Sequence, residues 1–320
     1  MVVLLLILGF VLLVKGADFL VDGASSLAKK LRISELAIGL TVVAFGTSTP
    51  ELVVNIMASV RTEALYDQLV FGNVIGSNNF NLLLILGIAG IIYPITVQVK
   101  TVWKEIPYSI LAGIILLVLV NDSLLRNRND NILFPWEGVI LLFFFVLFLV
   151  YILFNLKTEK EQFTTGTKVY GMLRTVIYIV AGMAGLVIGG RMVVKNAVEI
   201  AGRLGVSERF IGLTIVSVGT SLPELATSVV AIVKHKSDLA IGNVIGSNIF
   251  NIFLIMGVSS IISPLIYDVA FNVDIIVYIF STAFLFVAMF TGGKRKLDRW
   301  EAGIMLLFFA AYMTFLLWRK

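Results

Sequence analysis

The 320-residue sequence contains no cysteine and a single histidine, His235. Those absences exclude disulfide frameworks, thiolate metal centres, cysteine nucleophiles and histidine-ligated zinc or haem. His235 stands between Lys234 and Lys236 and reads as a solvated loop residue. Charge is scarce as well: Asp, Glu, Lys and Arg make up 14% of the chain, where soluble proteins carry about a quarter. Long polar stretches are also missing, the longest being about 155–168, which is too short for a soluble domain. The formal net charge of +5 comes from Lys and Arg in short clusters between apolar runs, with no basic stripe that would suit nucleic acid.

What fills the chain is apolar, 59% of it, which places it in lipid. A span needs roughly 20 mostly apolar residues. Ten such runs are found, near 2–27, 37–60, 69–93, 103–120, 133–154, 170–201, 210–233, 238–263, 273–291 and 300–318. The first has neither a basic leader nor a small-residue cleavage site, so it is expected to be a mature span rather than a signal peptide. Connections after odd-numbered spans hold fifteen Lys and Arg, and the opposite side holds seven. By the positive-inside rule both termini lie outside and the central loop is cytoplasmic.

The sequence repeats itself. Gly46-Thr47-Ser48-Thr49-Pro50-Glu51 returns as Gly219-Thr220-Ser221-Leu222-Pro223-Glu224, and Ile38-Gly39-Leu40-Thr41 as Ile211-Gly212-Leu213-Thr214. The block from Gly72 to Asn81 returns from Gly242 to Asn251 with one change, and Trp136-Glu137 answers Trp300-Glu301. The expected organisation is therefore a first five-span repeat over 1–154, a cytoplasmic linker over 155–168 and a second repeat over 169–320. An odd number of spans per repeat forces the second to enter the membrane inverted, as in secondary transporters. The fold class is an all-α integral membrane protein with ten transmembrane helices.

Glu51 and Glu224 lie inside apolar spans, where an ionised carboxylate costs about 2.5–3.5 kcal/mol on insertion scales. No Lys or Arg lies within one helical turn of either, so the partner is a basic residue on another span or a bound cation. Pro50 and Pro223 remove a backbone donor and are expected to break the helix, freeing carbonyls around Ala44 to Thr47 and Ser217 to Thr220. Thr47 and Thr220 each precede the carboxylate by four residues. Ser77 and Asn81, and likewise Ser247 and Asn251, are four apart on one helical face. Carboxylate, hydroxyl, carbonyl and amide oxygens together form the environment hard cations such as Ca²⁺ and Na⁺ require. Asn73, Asn78, Asn243 and Asn248 flank those faces and serve either the site or interhelical adhesion. Asn55, answered by Ser228, sits one turn beyond Glu51. Asp18 and Asp22 align with Arg191 and Lys195 at the same offset, and this reversal of sign argues for gating, interfacial or snorkelling charges rather than ion ligands.

These motifs resemble the cation/Ca²⁺ exchanger superfamily, and most closely its prokaryotic Na⁺/Ca²⁺ exchanger-like branch. The two G-T-S-x-P-E segments and the paired G-N-V-I-G-S-N blocks look like that family's two α-repeats, and the likeness covers the whole ten-span pattern. The resemblance implies Glu51 and Glu224 as central Ca²⁺ and Na⁺ ligands. It adds Thr47, Ser48, Thr220, Ser221, Ser77, Ser247 and Asn81, with carbonyls from Ala44 and Ser217. Some relatives, including the K⁺-dependent exchangers, carry Asp where Asn251 stands, which argues against K⁺ cotransport here. Ca²⁺/H⁺ exchangers of the same fold place an acidic residue shortly after a G-N pair, whereas Asn73 and Asn243 are followed by Val-Ile-Gly.

The function implied is antiport of Ca²⁺ against Na⁺ by alternating access, with the long first and sixth spans as the moving set. The alternatives are Ca²⁺/H⁺ or other divalent-cation antiport and, in a different class, a cation channel. No enzyme constellation and no cofactor is implied. The expected partners are Ca²⁺, Na⁺ and the lipid bilayer, with no nucleic acid and no protein partner evident.

Overall fold

A computed structural model describes residues 2–61, 64–98, 101–121, 131–155, 169–204, 217–291 and 295–319. In chain order its helices are α1 (Val2–Leu31), α2 (Glu35–Thr47), α3 (Thr49–Ser59), α4 (Tyr66–Ile92), α5 (Thr101–Leu119), α6 (Pro135–Asn155), α7 (Met172–Arg203), α8 (Ser217–Thr220), α9 (Leu222–Val233), α10 (Ser237–Ile262), α11 (Phe271–Thr291) and α12 (Arg299–Trp318). Eight of these are long and apolar enough to span a bilayer, and α2 with α3 forms a further candidate bent by 47°. Most of the upstream part of the expected 210–233 span, and the loop 156–168, lie outside the described residues.

Beside a buried apolar core, the chain exposes large apolar side chains and buries polar ones. Leu4, Phe154, Leu307 and Trp318 are at least 70% exposed, while Asn55, Asn79, Asn243 and Asn248 are fully buried. Lipid solvates the apolar exterior, so the exchange of environment that drives burial in water is absent, and polar groups can turn inward only where they find partners.

Helix termini follow local sequence. Ser34 caps α2 by accepting the Ala37 N–H at 3.0 Å. The matched Trp-Glu pairs have a structural reason: Glu137 accepts the Phe134 N–H at 2.9 Å and Glu301 accepts the Asp298 N–H at 2.8 Å, completing a capping box. Both carboxylates are fully buried and satisfy donors that a helix start otherwise leaves orphaned.

The chain forms two compact units, residues 1–50 with 154–244 and residues 51–153 with 245–320. Each draws on both halves of the sequence. In the first unit α1 and α7 run antiparallel in close contact. A Cβ at Gly16 would stand 2.7 Å from the Leu186 nitrogen, and one at Gly182 would stand 2.6 Å from the Leu20 nitrogen. Only glycine allows that backbone approach. Gly46 packs on Met183 and Gly219 on Val194, so the glycine of each repeated motif faces α7.

In the second unit the spans carry two two-residue ribbons absent from the all-helical expectation. They are β1 (Ile95–Thr96) with β4 (Lys296–Leu297), and β2 (Ile132–Leu133) with β3 (Leu265–Ile266). Both are antiparallel, and each joins one sequence half to the other. Repeat alignment sets β1 against β3 and β2 against β4, so each strand pairs with the neighbour of its own counterpart. The ribbons occupy span ends, where backbone donors and acceptors lose their intrahelical partners.

Candidate cation-binding site

Both repeated motifs fold alike at the break. Ser48, between α2 and α3, has φ −83° and ψ 4°, and Ser221, between α8 and α9, has φ −87° and ψ 6°. Pro50 and Pro223 fall in the first turn of the helices that follow, where a missing N–H costs nothing because that turn has no intrahelical acceptor. The break expected from sequence is therefore present. The carbonyl expected to be free at Ala44 is engaged: it accepts the Ser48 N–H at 2.9 Å and the Thr47 hydroxyl at 3.3 Å. The proline spares Gly46 instead, the acceptor four residues upstream. Ser217 opens α8, and its side chain lies outside the described residues.

Within the first unit Glu224 is buried and its Oε1 accepts the Ser48 hydroxyl at 3.0 Å. One motif therefore donates to the carboxylate of the other. The Thr47 hydroxyl lies 3.1 Å from Asn243 Oδ1, and the Asn243 amide donates to the Ser228 hydroxyl at 3.0 Å. Ser221 is buried and Thr220 half-buried. Asn243 is thus a strut between the two broken segments.

Within the second unit the Asn73 amide donates to Asn55 Oδ1 at 2.7 Å. Asn55 follows Glu51 by one turn and Asn73 precedes Ser77 by one turn, so the antiparallel register brings Glu51 level with Ser77. Further along α4 and α10 the asparagines cross. Asn81 donates to Asn248 Oδ1 at 3.0 Å and Asn251 donates to Asn78 Oδ1 at 2.9 Å. Asn81 and Asn251 are repeat counterparts, as are Asn78 and Asn248. Each of the two donors sits in a π-helical stretch, Phe80–Ile85 and Phe250–Ile255, a wide turn that recurs at functional sites.

This quartet separates two roles that the sequence left together. Asn78 and Asn248 hold the amide nitrogens of their neighbours. Asn81 Oδ1, Asn251 Oδ1 and Ser77 Oγ are buried with no hydrogen-bond partner among the described residues. Leaving a buried acceptor unsatisfied costs about 1–3 kcal/mol, and a cation would remove that cost. Ser247 is also buried. Among the described residues no three His, Asp or Glu side chains gather, so a cation here would draw on hydroxyl and amide oxygens as well as carboxylate.

Of the charges set aside from the site, Asp18 and Asp22 share one partner. Lys234 Nζ lies 2.5 Å from Asp18 and 2.6 Å from Asp22, joining α1 to the end of α9. Burial works against the Lys234 charge, but its bonds to Asp18 and Asp22 outweigh that effect and hold its pKa above the ordinary lysine value. A second network went unread in the sequence: Asp274 accepts the Tyr312 hydroxyl and the Arg319 guanidinium, both at 2.8 Å. Asn79 donates to the Asp274 carbonyl at 3.0 Å. Asn79 is answered by Ile249, so this brace belongs to one repeat only.

The family described as sodium/calcium exchanger protein matches residues 1–154 and 174–318. CaxA of Alkalimonas amylolytica is 39% identical over 320 residues, covering 97% of both chains. The sodium/calcium exchanger MaX1 of Methanosarcina acetivorans is 32% identical, covering 98% of this chain and 97% of its own. Among solved structures, the sodium-calcium exchanger NCX_Mj soaked with Na⁺ and Sr²⁺ is similar with a TM-score of 0.83 and 30% identity, over 98% of this chain and 97% of that one.

Proposed function

The chain belongs to the sodium/calcium exchanger family, and from that premise we propose that it is a multi-pass membrane antiporter exchanging Ca²⁺ for Na⁺. The observation that carries this reading is the set of unpartnered buried oxygens on Asn81, Asn251 and Ser77, the two asparagines being anchored through their amide nitrogens. Amide and hydroxyl oxygens of this kind offer lone pairs that suit a hard cation.

In this proposal Glu51 and Glu224 are the charged ligands, for which Ca²⁺ and Na⁺ compete. Thr47, Ser48, Thr220, Ser221, Ser77, Ser247, Asn81 and Asn251 supply neutral oxygens. Two carboxylates carry −2, which one Ca²⁺ neutralises and several Na⁺ can share. Overlapping occupancy then couples the two fluxes, provided the charged empty protein does not cross between states. The neutral Asn251, and the lack of an acid after the G-N pairs, favour Na⁺ coupling without K⁺ or H⁺.

The architecture proposed is ten helices as two inverted five-helix repeats, 1–154 and 169–320, linked by a cytoplasmic loop at 155–168, with both termini outside. The crossed ribbons and the crossed asparagines support it, since each pairs one half with the other in the way a pseudo-two-fold axis requires. The antiparallel α1–α7 pair is the proposed moving part. Its glycine seam makes the two helices one body able to slide along α9.

The test is Ca²⁺ uptake into proteoliposomes of purified protein under separately imposed Na⁺, H⁺ and K⁺ gradients. Uptake driven by Na⁺ alone is expected. Uptake driven by H⁺ alone would assign the proton-coupled branch, and flux that collapses the gradients without coupling would assign a channel.

A further inference from the structure

Asn79 stands between Asn78 and Asn81 on α4 yet takes no part in the crossed bonds. Its amide is fully buried, and the nitrogen donates to the Asp274 carbonyl at 3.0 Å and to the Tyr312 hydroxyl at 3.3 Å. The Tyr312 hydroxyl donates in turn to one oxygen of the buried Asp274 carboxylate, and the Arg319 guanidinium donates to the other, both at 2.8 Å. Asn79 Oδ1 has no hydrogen-bond partner among the described residues, so the hold is exerted through the nitrogen. The chain of donors ends on an acid, which turns the Tyr312 lone pair towards Asn79. The repeat counterparts of Asn79, Asp274, Tyr312 and Arg319 are Ile249, Lys104, Phe148 and Asn155. Ile249 brings no side-chain donor, Phe148 no hydroxyl and Lys104 no acceptor, so those residues cannot build the same chain.

We propose that Asn79 is a positioning residue for cation binding, setting the rotation of α4 about its axis and through it the direction of Asn78 and Asn81. The inference rests on the cation site of the proposed function. Neighbouring residues of a helix are about 100° apart, so pinning residue 79 to α11 and α12 fixes the bearing of residues 78 and 81. Side-chain atoms lie about 5–6 Å from the helix axis, where a rotation of about 10° moves an oxygen by about 1 Å. Ca²⁺–oxygen distances fall within about 2.3–2.6 Å, a window narrower than that displacement. The crossed asparagines tie α4 to α10, but two helices bonded only to each other can still roll together like meshed gears. At the position of Asn79, α10 carries Ile249, so it has no polar anchor there and takes its bearing from α4. One brace in one repeat thus orients the bare oxygens of both, and Arg319 keeps it made by meeting the Asp274 charge.

The test separates positioning from stability. Ca²⁺ affinity is read from the Ca²⁺ dependence of the unfolding temperature of purified full-length protein in detergent, and from Na⁺-driven uptake into proteoliposomes against Ca²⁺ concentration. Stability is read from the unfolding temperature without Ca²⁺. Asn79→Ile, which installs the residue of the other repeat, is expected to weaken binding and raise half-saturation by about tenfold, the scale on which loss of a group that orients a metal ligand is felt, with little change in maximal rate. Arg319→Gln gives a smaller rise in the same direction and Arg319→Lys restores native affinity, a pair that serves if Asn79→Ile does not fold. Tyr108→Phe, which removes a hydroxyl bond to the Phe144 carbonyl at 2.7 Å outside the brace, lowers the unfolding temperature without moving affinity. The proposal is overturned if Asn79→Ile and Arg319→Gln bind Ca²⁺ as tightly as native protein while melting lower, since the brace is then only structural. It is also overturned if Ca²⁺ does not stabilise native protein at all. Native protein that binds Ca²⁺ more tightly than Asn79→Ile but takes none up on a Na⁺ gradient would refute the antiport and uphold the positioning.

Discussion

At the scale of single residues, the asparagines engage a donor while an acceptor is left without a partner among the described residues, the oxygen that the proposed function gives to a cation. Asn248→Ala removes the acceptor for the Asn81 amide, leaving a buried donor unsatisfied at about 1–3 kcal/mol and the Asn81 oxygen unheld. The expected result is Ca²⁺ half-saturation raised by about tenfold or more, for roughly 1.4 kcal/mol or above, with the maximal rate less affected, measured as initial uptake against Ca²⁺ concentration. Glu51→Gln and Glu224→Gln keep shape but remove charge. Each is expected to reduce coupled uptake to background while eluting as a monodisperse peak, and wild-type rates in both would remove these residues from the site. Asn251→Asp adds a third carboxylate, which must take up a proton or hold another cation. Uptake by that variant is expected to depend on pH between 6 and 9, or on K⁺, where native uptake does not. A native requirement for K⁺ would contradict the two-carboxylate account.

At the scale of elements, the glycine seam and the proline breaks follow from the same constraint, that backbone in lipid must pack or pair internally. Gly16→Val places side-chain atoms where the Leu186 backbone stands. Overpacking of this kind costs about 1–3 kcal/mol, so a lower unfolding temperature is expected together with slowed exchange, since the same seam joins the proposed moving pair. The duplicated motifs made the breaks at Ser48 and Ser221 legible in the sequence, because proline acts on its own chain within four residues. Eight spans, and a ninth as the bent α2–α3 pair, were legible for the same local reason, through runs of apolar residues. The engaged Ala44 carbonyl was not foreseen, because the acceptor released by Pro50 is Gly46 while Ala44 still receives Ser48. The crossed Asn81–Asn248 and Asn251–Asn78 bonds, the ribbons and the Asp274 brace depend on partners 38 to 202 residues away. No spacing within one helix encodes such a pairing. The duplication did point to the asparagines that bond to one another, while leaving open which hold and which are held.

At the scale of the whole molecule, the distribution of Lys and Arg makes a claim that labelling can check. A cysteine placed near Thr165 is expected to react with impermeant reagents only from the cytoplasmic side, and one near Lys320 only from outside. The reverse pattern would turn the molecule over without altering its ligands. The interleaving of the two compact units bears on how the chain is made. Residues 1–50 wait for 154–244, and 51–153 wait for 245–320, so a ribosome halfway along has begun both units and finished neither. A nascent first half must therefore be shielded, by the insertion machinery or by lipid, until its complement emerges. Fragments 1–160 and 161–320 produced separately are expected to be degraded, and produced in the same cell to accumulate as a stoichiometric pair.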